Sequence, residues 1–204
     1  MVNISLGFCA YLCYNRYSCK KQLPLIHYDF LIGVEVEIMY QENDLIFYGT
    51  IGICKIRSVC CPDNISGTQK GQLYYVLNPV HRDGTTYAPV NTKVFNRPLI
   101  SSKEARELID IIPTIEINTD NGNFKALEDS YKAALQTHKC IDLIRIIKTV
   151  SAKNKIAVSK GKKLSQIDMR YMKKAEELLY DEFAAVLDIP KEQIRHNIES
   201  KIDV

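Results

Sequence analysis

Between Arg145 and Lys174 stand ten Lys or Arg residues and one acid, Asp168, so nine positive charges are in excess there while the whole chain carries only +3. Solvated helix faces normally mix signs. A one-sided run predicts a polyanionic partner, because summed like charges create a field that single contacts do not. On charge alone, Lys160, Lys162 and Lys173 are candidate phosphate contacts, and Lys153 to Lys163 reads as a basic loop.

Other chemistry is sparse. Seven cysteines stand at positions 9, 13, 19, 54, 60, 61 and 140, and none makes a Cys-x2-Cys pair; the histidines, His27, His81, His138 and His196, are scattered. Zinc sites need tighter, paired spacings, so no metal and no cofactor is expected, and the thiols read as reduced and cytoplasmic. No nucleophile elbow, phosphate-binding loop, dinucleotide fingerprint or His-Glu-x-x-His motif occurs. His81 could act as a base, but no Ser or Cys nucleophile is placed beside it by the sequence. The chain does not read as an enzyme.

The elements that must position these residues fall into two groups. At 204 residues, 46% apolar and 25% charged, the chain has the composition of a globular protein and the length of one large or two small domains. From Asp44 to about Ile100 the pattern is β. Asp44–Gly49, Ile51–Val59, Leu73–Leu77 and Thr85–Val90 are strands, with a short last one at Val94–Phe95. Pro62–Gly71 and Arg82-Asp83-Gly84 are turns. Short, curved strands over so few residues suit an SH3-like or Tudor-like barrel better than a sandwich.

Ser101 or Ser102 then caps a short helix ending at Pro113, and residues 114–123 read as a linker. The rest is helical. Phe124, Leu127, Tyr131 and Leu135 make one apolar stripe, and Ile141, Ile144, Ile147 and Val150 a second. Ser165 and Asp168 form a capping-box-like start to a helix burying Met172, Ala175, Leu179, Phe183 and Leu187. Pro190 opens a final helix with Ile194, Ile198 and Ile202. The expected fold is α+β in two domains, 39–113 a small β-barrel and 124–204 compact and all-α.

Residues 1–38 read as a leader or misassigned extension with little packed structure. Their apolar patch, Ile4–Tyr14, precedes Arg16, Lys20 and Lys21, the reverse of a signal peptide, and falls well short of the roughly 20 residues needed to cross a bilayer. Met39, directly before the first strand, makes a natural start. No membrane attachment is expected.

Several strings, in order, resemble the CarD family of RNA polymerase-binding regulators. They are Phe47-Tyr48-Gly49-Thr50-Ile51-Gly52-Ile53-Cys54-Lys55-Ile56, Tyr74-Tyr75-Val76-Leu77, Thr86-Tyr87-Ala88-Pro89-Val90 and Arg97-Pro98-Leu99-Ile100-Ser101 in the β half. In the helical half they are Tyr131-Lys132-Ala133-Ala134-Leu135, Lys163-Leu164-Ser165-Gln166-Ile167-Asp168 and Ala175 to Leu187. The likeness covers about 39–204.

The resemblance implies a barrel, shared with transcription-repair coupling factors, that binds a lobe of the polymerase β subunit by strand addition. Arg57, Tyr75 and Tyr87 are the candidate contacts by position. It implies a helical domain lying on promoter double-stranded DNA at the upstream edge of the bubble, steadying the open complex. Lys163, Arg170 and Lys174 match the family's basic face. Where better-known members carry a Trp that wedges at the minor groove, this chain has Leu127, with Phe124 nearby; both also fit the core stripe. A cytoplasmic, nucleoid-associated monomer is implied, with the sign of regulation left open. The alternatives are a Tudor-like module gripping RNA or the ribosome, and a protein–protein adaptor.

Overall fold

The structure, a computed structural model, describes residues 27–28, 36–37, 40–62, 65–117 and 124–202. The expected leader lies outside them apart from a short antiparallel pairing of β1 (His27–Tyr28) with β2 (Val36–Glu37). Positions 118–123 of the expected linker lie outside them too. The fold is α+β: an antiparallel five-stranded sheet followed by helices.

The sheet comprises β3 (Leu45–Tyr48), β4 (Gly52–Cys60), β5 (Tyr74–Pro79), β6 (Thr86–Pro89) and β7 (Asn96–Pro98), in the order β6-β5-β4-β3-β7. The last strand falls just after the expected Val94–Phe95, because the Phe95 carbonyl is held earlier, accepting from Gly49 N–H at 2.7 Å. Gly49 (φ +46) is the residue that this approach requires, since a Cβ there would stand 2.8 Å from Val94 Cγ1.

Alternation sets the β core. Ile46, Tyr48, Cys54, Ile56, Val59, Tyr75, Leu77 and Ala88 lie together, with Tyr40 packed on them. Ile56 pairs with Leu77 but Ser58 with Val76, so Arg57 is the extra residue of a bulge. The bulge keeps Val59 on the same face as Ile56 and turns the exposed Arg57 outward.

The helices are α1 (Ser102–Asp110), α2 (Phe124–Gln136), α3 (Cys140–Ser159), α4 (Gln166–Leu187) and α5 (Lys191–Ile202), with a 3-10 turn at Ile112–Thr114. Ser101 caps α1 in a reciprocal box with Glu104, and Ser165 caps α4 by accepting from Asp168 N–H. Leu143, Ile144, Ile147, Val150, Leu179, Phe183, Ile194 and Ile198 form much of the helical core, each at most 1% exposed.

The chain divides into two compact units at Asn96/Arg97, ahead of the expected linker. Helix α1 packs on α4 and α5 and so belongs to the helical unit. Ser102 Oγ donates to Val186 O at 2.6 Å, and Arg97 is tied to α4.

Two local expectations are corrected. Phe124, placed on the core stripe, is 73% exposed. It is the first residue of α2, nearly two turns ahead of the buried Tyr131. The loop expected from Lys153 to Lys163 begins instead at Lys160, because nothing between Lys153 and Ser159 breaks a helix and Gly161 supplies the stop.

Candidate nucleic-acid interface and protein-contact edge

The helical unit is keyed by a buried polar knot. Tyr131 Oη donates to Asp168 Oδ1 at 2.7 Å, Ser165 Oγ to Asp168 Oδ2 at 2.6 Å, and Lys153 Nζ lies 3.4 Å from Asp168 Oδ1. Burial pushes the Asp168 carboxyl upward, but the hydroxyls of Ser165 and Tyr131 and the Lys153 ammonium outweigh it and hold the group below its ordinary range. Burial and the neighbouring carboxylate push the Tyr131 phenol well above its usual range. Sequence reasoning placed Lys153 in a solvated basic loop; it is 8% exposed and committed to this pair. Its long stem between apolar helix positions gave no hint of a partner fifteen residues on.

The knot also fixes an orientation. Tyr131 of α2, Lys153 of α3 and Asp168 of α4 meet in the knot, and α3 ends beyond it just before α4 starts. The end of α3, the Lys160–Lys163 loop and the start of α4 therefore share one end of the unit. Lys160, Lys162 and Lys163 are exposed there, with no acid between Asp142 and Asp168. Ile156, Val158 and Met169 are large exposed apolar residues of the same end, and Phe124 is exposed at the start of α2. Leu127 is half-buried.

The rest of the basic run is more dispersed than the sequence implied. Lys148 Nζ donates to the carbonyls of Ile112, Pro113 and Ile115 at 2.7–2.9 Å. Arg145 pairs with Asp142. Arg170 reaches Glu128 Oε1 at 2.8 Å and stacks on Tyr171 at 4.9 Å, yet its side chain stays 62% exposed. Lys174 is half-buried and 4.0 Å from Glu177, whereas Lys173 is exposed. A shallow groove of about 300 Å³ runs among Leu135, Arg170, Tyr171, Lys173, Lys174 and Glu177. The single cluster thus resolves into an outward group at the loop, a partly paired group on α4, and Lys148 and Lys153, which serve the fold.

A second buried pair was missed altogether. Glu182 is fully buried and takes both arms of Arg97, at 2.5 and 2.8 Å, as well as Ile100 N–H at 3.1 Å. Cys140 Sγ lies 3.4 Å from the same carboxylate. Burial, with Glu182 adding to it, pushes that thiol up to about 12, so it is a poor nucleophile. The spacing of 85 residues between Arg97 and Glu182 leaves no local signal in the sequence.

In the β unit the three expected contacts separate. Arg57 is exposed at the bulge and Tyr87 half-buried on β6, an end strand of the sheet. Tyr75 is not a surface residue: it is 4% exposed, edge-on to Tyr40 at 5.8 Å, with its hydroxyl 3.4 Å from Tyr40 N–H. Strand alternation turns it onto the core face with Leu77. The β6 edge is short. Val90 N–H donates to Leu73 O at 3.0 Å, so by alternation Tyr87 and Pro89 turn their backbone outward. Pro89 has no N–H and its carbonyl accepts from Thr92 N–H at 2.9 Å, which leaves Tyr87 as the residue of β6 presenting both groups.

Among the described residues no group of three or more His, Cys, Asp or Glu is placed to hold a metal ion, and no helix is long and apolar enough to cross a membrane. No protein-family model and no curated protein matches the chain.

Proposed function

We propose that the chain is a non-enzymatic transcription regulator, holding the RNA polymerase β subunit with its β unit and promoter duplex DNA with its helical unit. In this reading the β unit is an SH3-like or Tudor-like barrel, and the site of action is the bacterial cytoplasm, on the nucleoid. The observation that carries it is the cation group Lys160, Lys162 and Lys163, exposed at one end of the helical unit with no acid in the 25 residues between Asp142 and Asp168. Arg170 and Lys173 extend the group along α4. At the loop the field is of one sign, while Arg170 is partly neutralised by Glu128; such a field attracts phosphate and releases counterions on contact.

Arg57 and Tyr87 carry the polymerase contact; Tyr75 supports it from the core. Because the β6 edge offers one residue's backbone pair, strand addition there would be short, and the guanidinium at the bulge and the Tyr87 ring would supply selectivity. Three to five phosphate contacts give a weak, non-specific affinity of roughly 10⁻⁴–10⁻⁶ M. Tethering through the β unit raises the effective concentration of the DNA-binding end. Phe124, exposed at the start of α2, suits an apolar wedge at a minor-groove step better than the half-buried Leu127.

The test is DNA affinity against salt for the wild type and for Lys160→Glu/Lys162→Glu/Lys163→Glu. The variant should lose duplex binding while still capturing the polymerase β subunit from a lysate. The wild-type slope of log K on log salt should be about −0.9 for each phosphate contacted. Undiminished binding by the triple variant would refute the DNA assignment. Capture of ribosomal proteins or ribosomal RNA in place of the β subunit would favour the RNA-gripping alternative.

A further inference from the structure

Beyond Lys153, helix α3 leaves the packed part of its unit. No residue from Asn154 to Ser159 is buried, and Ile156 and Val158 are 47% and 67% exposed. Two positions along a helix are about 200° apart around its axis, so these aliphatic side chains leave α3 on nearly opposite sides. A flat surface, whether a lipid bilayer or the face of another protein, would cover one and leave the other in water. Covering both takes an occupant with two walls.

The tip is also held firmly. Lys162 N–H donates to Ala157 O at 2.8 Å and Gly161 N–H to Val158 O at 2.9 Å, the paired bonds of a Schellman close. Gly161 adopts φ +64 to make it. The last carbonyls are thereby satisfied within the chain. Lys160, Lys162 and Lys163 are exposed around the tip and outweigh the half negative charge of a helix C-terminus.

We propose that the tip of α3 enters the major groove of duplex DNA end-on, with its lysines on the phosphates of both rims and Val158 and Ile156 against thymine 5-methyl groups. This rests on the reading of the helical unit as DNA-binding, and it names what that end reads. The choice of groove follows from size: the major groove is about 12 Å wide and admits a helix, whereas the minor groove, about 6 Å wide, does not without being forced open. The choice of group follows from chemistry, because the thymine methyl is the apolar feature that base pairs present in the major groove. Rims of phosphate, with thymine methyls carried by both strands toward the two sides of the groove, match a tip of cations with an aliphatic side chain on each flank.

The test uses the full chain and two labelled 20-base-pair duplexes rich in A·T pairs, identical except that one carries uracil for every thymine. At low salt the wild type should bind the uracil duplex more weakly, by about fourfold for each methyl covered. Val158→Ser with Ile156→Ser, both at exposed positions, should bind the two duplexes alike and keep the wild-type salt slope, because no charge has changed. Equal wild-type affinity for the two duplexes would overturn the tip's role while leaving phosphate binding by the helical unit intact. Discrimination that persists in the double variant would overturn it as well, assigning the methyl contact to another part of the unit. If the wild type binds neither duplex at low salt, both this inference and the DNA reading it rests on are lost.

Discussion

Lys153 shows how much the meaning of a single charge depends on its partner. Within a run of cations it reads as one more solvated charge, yet it neutralises a buried carboxylate. Removing one member of a buried pair leaves the other uncompensated and typically costs 3–5 kcal/mol. Lys153→Met should therefore lower the stability of the helical unit by roughly that amount in urea unfolding. The same site sets an acid limit. The Asp168 carboxyl is held below its ordinary value, so its contribution is complete above the unfolded pKa, near 3.9, and is lost as pH falls through the lower folded value. Urea midpoints of the wild type measured downward from pH 5 should fall more steeply than those of Asp168→Asn, and parallel curves would exclude Asp168 as the cause. The sequence offered Ser165 and Asp168 as a capping-box-like pair; Ser165 caps the helix, while the Asp168 carboxylate accepts from the Ser165 hydroxyl and not from its backbone. Its second partnership, with Lys153 and Tyr131, depends on three helices meeting and has no trace in local spacing.

Secondary elements were more readable than individual side chains. Both capping serines, the four main strands and the helices of the second half follow from periodicity and from Ser, Gly and Pro placement. Both tyrosines of the Tyr74-Tyr75 string are buried, so burial does not tell them apart; alternation with Leu77 and the pairing of Tyr75 with Val59 put Tyr75 in the core that includes Leu77. Tyr75→Ala should cost the β unit about 3–5 kcal/mol, as large-to-small core changes do, while Tyr87→Ala stays within about 1 kcal/mol. Pull-down of the polymerase β subunit should respond in the opposite order once the proteins are compared well below their melting points: weakened by Tyr87→Ala, retained by a still-folded Tyr75→Phe. A Tyr75→Phe protein that folds normally and loses the β subunit would return Tyr75 to the contact surface.

At the scale of the molecule, the two-part organisation was visible in composition, but the boundary was not. Asn, Asp, Thr and Gly at 114–123 look like a joint, whereas the physical division lies at Asn96/Arg97. The reason is a long-range charge pair. Arg97, the first residue of the helical unit, supplies both guanidinium arms to a carboxylate with no exposure to water. A fragment of residues 97–204 should thus unfold cooperatively in urea by circular dichroism. A fragment starting at 114, which lacks Arg97 and α1, should show a shallow transition or none, because Glu182 would be buried without its cation. Equal cooperativity in the two fragments would argue against the Arg97 pair as an organising contact.

The proline in β6 reaches beyond recognition. A strand at the border of a sheet is a template on which further copies can stack without limit, the route by which soluble β proteins turn into fibres. Here the template is one residue long, since Pro89 offers no amide hydrogen and spends its oxygen on Thr92. Replacing Pro89 would do more than loosen a turn: it would lengthen the row of open backbone groups and make concentrated samples prone to irreversible association. The same blunting shortens what the β6 edge can offer to any added strand, another copy's included.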